Sequence, residues 1–280
     1  MYVLDPTMPV LLRPDGAVQI GWDPRRAVLV RPPEGMNAGA LAAVLRAMSS
    51  PMSRPELRRL ATGFDDLLDG LLAAGVVREV PPAPAGRCLS IRVHGAGPLS
   101  DLLAEGLRCS GARVSRASHL TAAVTPAGVD LVVLADSLAA DPRLVRDLQT
   151  RGVPHLPVLM RDGAGVVGPL VLPGRSSCLC CVDLHRTDRD PAWPALAVQL
   201  RDVVGSGDRA TVLATVALAL GQLQQIITAV QHRPAPAPVP ATLNATVEID
   251  VGAQSIRARR WPRHPLCGCW PEPPPASGDR

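Results

Sequence analysis

Apolar residues near the start of the chain fall into short runs broken by turn-forming residues. Val10–Leu12 and residues 18–21 and 27–30 read as short strands, with Pro14-Asp15-Gly16 and Asp23-Pro24 between them. Helical spacing then takes over. Asn37 is placed to cap a helix running to about Met48, and Ser53 with Glu56 forms a capping box for a second. A third covers residues 65–74, with Leu67, Leu68, Leu71 and Leu72 on one face and Gly75 ending it. A strand over residues 76–80 closes the set. Strands with three helices in this order describe a winged helix-turn-helix.

Beyond a proline-rich break the pattern alternates strand and helix. A strand at residues 89–93 runs into Gly95-Ala-Gly97 and a helix over 98–109. Strands near 113–115, 129–134 and 156–160 follow, with a helix over 142–151 between the last two. This is the βαβ pattern of a parallel sheet covered by helices. Residues 165–172 then read as a hairpin strand leading into a cysteine cluster, and a long helix near 210–231 and two antiparallel strands, 242–251 and 255–261, finish the pattern. The expected fold class is α/β with a mixed sheet.

Two proline-rich segments punctuate the chain. Residues 81–86 divide a first domain, 1–80, from a second, 87–270. Residues 232–240 read as an extended connection inside the second, and the polar, proline-rich tail 271–280 is expected to be disordered.

Composition narrows the chemistry. A hydrophobic share of 47% suffices for real cores, but the chain has one Phe, one Tyr and four Trp, too few for aromatic stacking to be a widespread binding device. Every positive side chain is Arg, because the sequence contains no Lys. Lysine Schiff bases and a phosphate-loop lysine are thereby excluded. No basic-then-apolar leader opens the chain, and the apolar stretch 210–230 holds Gly221, Gln222, Gln224 and Gln225, so it reads as a buried helix rather than a span. A cytoplasmic address and no membrane partner are expected.

Seven cysteines in such a chain point to metal before disulfides. Cys178-Leu-Cys-Cys181 places two thiolates across a tight turn, and Cys267-Gly-Cys269 offers two more. Cys180 also stands beside Cys181; Cys178 is preferred because two intervening residues suit a zinc knuckle. Four thiolates, Cys178, Cys181, Cys267 and Cys269, make a closed tetrahedral site, structural and not catalytic. His185 and His264 lie close in sequence; each could replace a cysteine as ligand, and a supporting or surface role is preferred. Cys88 and Cys109 read as core residues.

Gly95 and Gly97 sit between a strand and a helix, the context of a nucleotide turn, and Asp136 follows a buried strand where a nucleotide or magnesium contact, or equally a cap of the following turn, could stand. Ser100 replaces a third glycine, Pro98 removes an N–H, and Arg113-Val-Ser-Arg116 stands where an acidic residue would hold a ribose. A vestigial site is expected.

Taken together, the Gly95-x-Gly97 turn, residues 130–136 and the run 168–181 resemble the ThiF-like, ubiquitin-activating-type fold. The continuation 182–194, with 260–269, looks like cyclodehydratase-type, leader-peptide-binding proteins of thiazole/oxazole-modified peptide pathways. That resemblance implies an N-terminal PqqD-like element that binds the leader of a ribosomally made precursor as an added strand. It further implies a ThiF-like domain that docks a YcaO-type, ATP-dependent enzyme forming azolines from Cys, Ser or Thr, with a homodimer as a further expectation. Since ThiF-like adenylating enzymes place Arg and Lys on the nucleotide, the missing Lys speaks against ATP as a cofactor. The expected function is therefore a non-catalytic partner. The alternatives are a ThiF-like ATP-binding or adenylating enzyme and a winged-helix DNA-binding regulator. Nucleic acid is disfavoured because the third helix opens with Asp65, Asp66 and Asp69 and no base. The peptide-binding residues expected are Arg25, Arg26, Val28, Leu29 and Val30 on the strand edge, with Leu67 and Leu71 on the neighbouring helix.

Overall fold

The computed structural model describes residues 1–60, 63–80, 88–118, 128–231 and 239–269. The chain divides into two units, Met1–Gly86 and Arg87–Arg280. The expected linker at 81–86, most of the proline-rich connection at 232–240 and the tail at 271–280 lie outside the described residues.

In the first unit, β2 (Val10–Leu12), β3 (Val18–Ile20) and β4 (Val28–Val30) form an antiparallel sheet in that order. Helices α1 (Ala38–Ala47), α2 (Arg54–Leu60) and α3 (Phe64–Ala73) follow, then β5 (Val77–Glu79). The caps are those the spacing predicts. The Asn37 side chain accepts from the Ala40 N–H at 2.8 Å, and Glu56 accepts from both the Ser53 N–H and Oγ at 2.7 Å. The acids of α3 are held by α2: Arg54 reaches Asp69 at 2.6 Å and Arg58 reaches Asp65 at 2.6 Å. One strand is additional: β1 (Tyr2–Leu4) pairs antiparallel with β5. Three residues are too few to display a period, so its register comes from tertiary pairing. Val18, Ile20, Leu41, Leu45, Leu57, Phe64 and Leu68 form the core.

The second unit holds a seven-stranded mixed sheet in the order β12-β11-β10-β9-β8-β6-β7. Its elements are β6 (Ser90–His94), α4 (Pro98–Arg108), β7 (Arg113–Ala117), β8 (Leu131–Ala135), α5 (Pro142–Thr150), β9 (His155–Arg161), β10 (Ala164–Val167), α6 (Leu179–Thr187), α7 (Trp193–Leu200), α8 (Arg209–Gln231), β11 (Ala245–Asp250) and β12 (Ser255–Arg260). Strands β7, β6, β8 and β9 are parallel; β10, β11 and β12 extend the sheet antiparallel. The unit is thus mixed α/β, and four parallel strands do not make the six-stranded dinucleotide order.

Strand β8 shows why the parallel part is buried on both sides. Leu131, Val133 and Ala135 pack with Leu99, Leu103, Val216 and Leu223 of α4 and α8, while Val132 and Leu134 meet Leu144 and Leu148 of α5. Helix α8 is long and apolar enough to cross a membrane by composition, but Val212, Val216, Ala219, Leu223 and Ile227 line the core. A Cβ on Gly165 would stand 1.7 Å from Thr215 Oγ1, so only glycine lets α8 lie this close to β10. The tight turn expected at Cys178–Cys181 is instead the start of α6, with Cys178 as N-cap. The residues that bury this helix are Cys181 and Val182, so its inward face is partly thiol and showed no apolar period.

Candidate metal centre and switch-point cleft

Four sulfurs converge where α6 begins. Cys178 Sγ lies 3.8 Å from Cys181 Sγ and 3.6 Å from Cys267 Sγ, and Cys181 Sγ lies 3.5 Å from Cys269 Sγ. All four ligand atoms fall within 4.8 Å of one another. These spacings are too long for a disulfide, whose S–S bond is about 2.05 Å. They match the edge of a zinc tetrathiolate, about 3.8 Å for Zn–S bonds of about 2.3 Å. Three of the cysteines are buried and Cys269 is half-buried. Cys180, left open by the sequence as an alternative ligand, stays outside the four and is exposed. Cys88 and Cys109, expected in the core, are exposed. That correction follows from position: Cys88 precedes β6 and Cys109 caps the end of α4, so neither points between sheet and helix.

Without an ion the cluster shares its protons unevenly, and the geometry leaves room for a cation that would take their place. Cys181 is held as a thiolate near pKa 4, first by the hydrogen bond from Cys178 and also by the His264 backbone N–H. Cys178 is pushed far up, chiefly by that same bond and then by burial, and burial lifts Cys269 to about 12. Four negative sulfurs cannot share so small a space unless a dication stands among them. Beside the cluster, His264 Nδ1 accepts from the Leu266 N–H at 3.1 Å and its Nε2 meets Asp188 at 2.9 Å. His185 Nε2 donates to the Pro262 carbonyl at 3.0 Å, tying α6 to the segment that carries Cys267 and Cys269. Both histidines brace the cysteine loops; Asp188, the third member of this group, has no signal in the sequence.

The glycine turn closes on its own aspartate. Asp136 is 1% exposed, and its carboxylate accepts from the Leu99 N–H at 2.9 Å and the Ser100 N–H at 3.3 Å. It therefore neutralises the first turn of α4, the place where a dinucleotide fold receives a phosphate. A Cβ on Gly97 would lie 2.7 Å from Asp136 Oδ1, and one on Gly95 2.8 Å from Oδ2. Gly95, Gly97 and Asp136 are thus brought together, and their glycines make room for the carboxylate. Asp136 also takes a left-handed backbone, φ 74°, held by its N–H to Val158 O and its carbonyl to the Gly205 N–H.

Next to this turn a cleft of about 250 Å³ opens between the carboxyl ends of β6, β8 and β9. His94, Ser137 and Pro157 line it together with Arg201 and two carboxylates, Asp141 and Asp202. The chain leads from β6 to β7 on one side and from β8 to β9 on the other, so the cleft stands at the point where the strand order reverses, where open α/β sheets bind ligands. Arg201 supplies a cation there, 3.9 Å from the Asp202 carboxylate, and neither it nor His94 was singled out from the sequence.

In the first unit, β4 is an edge strand. Leu29 is 59% exposed, Val28 is half-buried, and Arg25 and Arg26 are exposed beside them. The side chains of Val30 and Leu71 are buried in the core and offer no side-chain surface to a peptide; Leu67 packs partly against it. The correction at Leu71 follows from α3 turning its 64-68-71 face inward.

The class of protein this fold defines is a mixed α/β chain like those of two heterocyclases and of MccB. A heterocyclase in complex with substrate and cofactor matches at TM-score 0.66 and 14% identity, over 96% of this chain and 39% of that one. The heterocyclase TruD matches at 0.65 and 16%, over 96% and 42%. Escherichia coli MccB with ATP matches at 0.58 and 12%, over 96% and 99%. The chain spans about two fifths of the length of the two heterocyclases. No family model and no curated protein matches it. Identities this low carry the fold and not the reaction. They nevertheless overturn two expectations from the sequence, that the chain is a non-catalytic partner and that its lysine-free composition speaks against ATP. The same fold is solved as heterocyclases and with ATP bound, so the scaffold itself is no ground for a passive role or for setting ATP aside.

Proposed function

We propose that the chain is a ThiF-like, ATP-using component of an enzyme that modifies a ribosomally made precursor peptide, in a reducing cytoplasmic setting where thiols stay available to zinc. The observation that supports this most is the switch-point cleft with Arg201 in its wall. Asp136 already satisfies the start of α4, so the triphosphate lies over the cleft and not on the glycine turn. Guanidinium takes the role for which related folds use lysine. In adenylation a peptide carboxylate attacks the α-phosphorus, the bond to the β-phosphate oxygen breaks, and pyrophosphate leaves.

On this reading the first unit is a winged helix of the PqqD-like kind, and the leader adds as a strand to the open edge of β4 near Leu29, Arg25 and Arg26. Cys178, Cys181, Cys267 and Cys269 hold a structural zinc. It closes the loop between α6 and the end of the chain and leaves no coordination position for chemistry. A YcaO-type enzyme is the partner named by the resemblance if ring formation is the reaction.

The test is pyrophosphate–ATP exchange by the purified chain with magnesium and a candidate precursor peptide. Peptide-dependent exchange supports adenylation by the chain itself. Phosphate release only when a YcaO-type protein is added places the chain in a two-component cyclodehydratase. No nucleotide turnover in either mixture refutes the proposal.

A further inference from the structure

The seven-stranded sheet ends on β12, and no strand pairs with its outer edge among the described residues. From Ile256 to Arg260 every residue of β12 is exposed, and Ile256 is 66% exposed. Arg257 and Arg259 stand opposite Glu248 and Thr246, so they share the face of β11 that carries those side chains. Glu248 is already engaged by Arg161 at 2.5 Å, and Asp183 by Arg186 at 3.4 Å. The cations on this face therefore outnumber their partners.

Arg259 and two further guanidiniums gather around one ring. Arg259 lies 4.4 Å from the centre of the Trp261 ring, Arg189 5.7 Å and Arg186 5.8 Å. The ring is buried and fixed by its Nε1 donating to Thr246 Oγ1 at 3.1 Å. Stacking on a fixed ring leaves the guanidinium edges facing outward at little entropic cost. The strand beside them turns alternate N–H and C=O groups to solvent.

We propose that the β12 edge with Arg189, Arg257 and Arg259 is a docking strip for an extended acidic peptide segment. The peptide adds as an eighth strand, its alternate carboxylates meet the arginines, and a small apolar residue covers Ile256. A second copy of the chain does not fit, because pairing two β12 edges would set arginine against arginine. An anion recognised by charge alone would have no use for a free strand edge. The proposal rests on the second unit and is independent of the ATP reading.

Fluorescence anisotropy of the full chain with a labelled synthetic peptide alternating glutamate and valine tests it. Saturable binding is expected, weakened at least about tenfold by the double variant Arg257→Glu/Arg259→Glu. Methylating alternate backbone nitrogens of the peptide keeps its charge and should weaken binding comparably. Absence of saturable binding overturns the proposal and leaves edge arginines that only repel other strands. Equal binding of the methylated peptide, or tighter binding of an oligonucleotide of equal charge, also overturns it.

Discussion

The cysteine cluster and the glycine turn are both short motifs that suggest a ligand, and they end differently. At the cysteines, four sulfurs from two sequence-distant segments stand 3.5 to 3.8 Å apart along three contacts, the edge length of a tetrathiolate site, with nothing of the protein between them to take the place of a cation. At Gly95-Ala-Gly97, the ligand for the helix start is already part of the protein, the carboxylate of Asp136. The difference teaches that a motif's donors matter less than what else the fold brings to them. Thiolates brought to thiolates require a cation, whereas amides brought to a carboxylate are satisfied.

Breaking the cluster should have the largest effect. Structural zinc in small peptides is worth roughly 10 to 16 kcal/mol at pH 7. Cys181→Ser should abolish stoichiometric zinc by elemental analysis and lower the thermal midpoint by more than roughly 10 °C. Cys180→Ser, outside the four, should change neither.

Acid probes the same neighbourhood through His155, which is fully buried at the start of β9, with Nδ1 on the Val153 carbonyl at 3.0 Å and Nε2 without a partner among the described residues. Burial lowers its pKa from 6.5 to about 4. The unfolded chain takes up the proton at the higher value, so stability falls as pH drops through that window. The loss is about 3 kcal/mol by proton linkage. Denaturant titrations between pH 7 and 4 should show this slope on top of thiolate protonation, and His155→Leu should remove the histidine part.

At the turn, Gly97→Ala forces a methyl against Asp136 Oδ1 and should cost about 1 to 3 kcal/mol in chemical denaturation. If it is neutral, Asp136 moves freely and the turn is open to a ligand after all. Asp136→Asn keeps an acceptor and suits the left-handed backbone, so its cost should be the smallest, about 1 kcal/mol or less.

Most of the fold was legible because it is local. The Asn37 cap, the Ser53–Glu56 box, the fully apolar β8 and the βαβ order each announce themselves within a few residues. Helices α6 and α7 did not, since α6 buries a thiol and a valine and α7 buries nothing. Of the candidate sites, the four cysteines were legible from spacing because each pair is close in sequence. The cleft was not: His94, Ser137 and Arg201 come from three separate segments and meet only when the strand order reverses. Trp261 with its arginines was likewise invisible, because Arg186 and Arg259 lie on different elements.

The central claim is that this fold uses ATP at the switch-point cleft. Calorimetric titration of magnesium ATP into the zinc-loaded full chain tests it most directly, with Arg201→Glu as the paired variant. One site per chain, weakened at least about tenfold by the charge reversal while zinc content and thermal midpoint stay the same, is the predicted result. No saturable binding, or binding indifferent to Arg201, would contradict it.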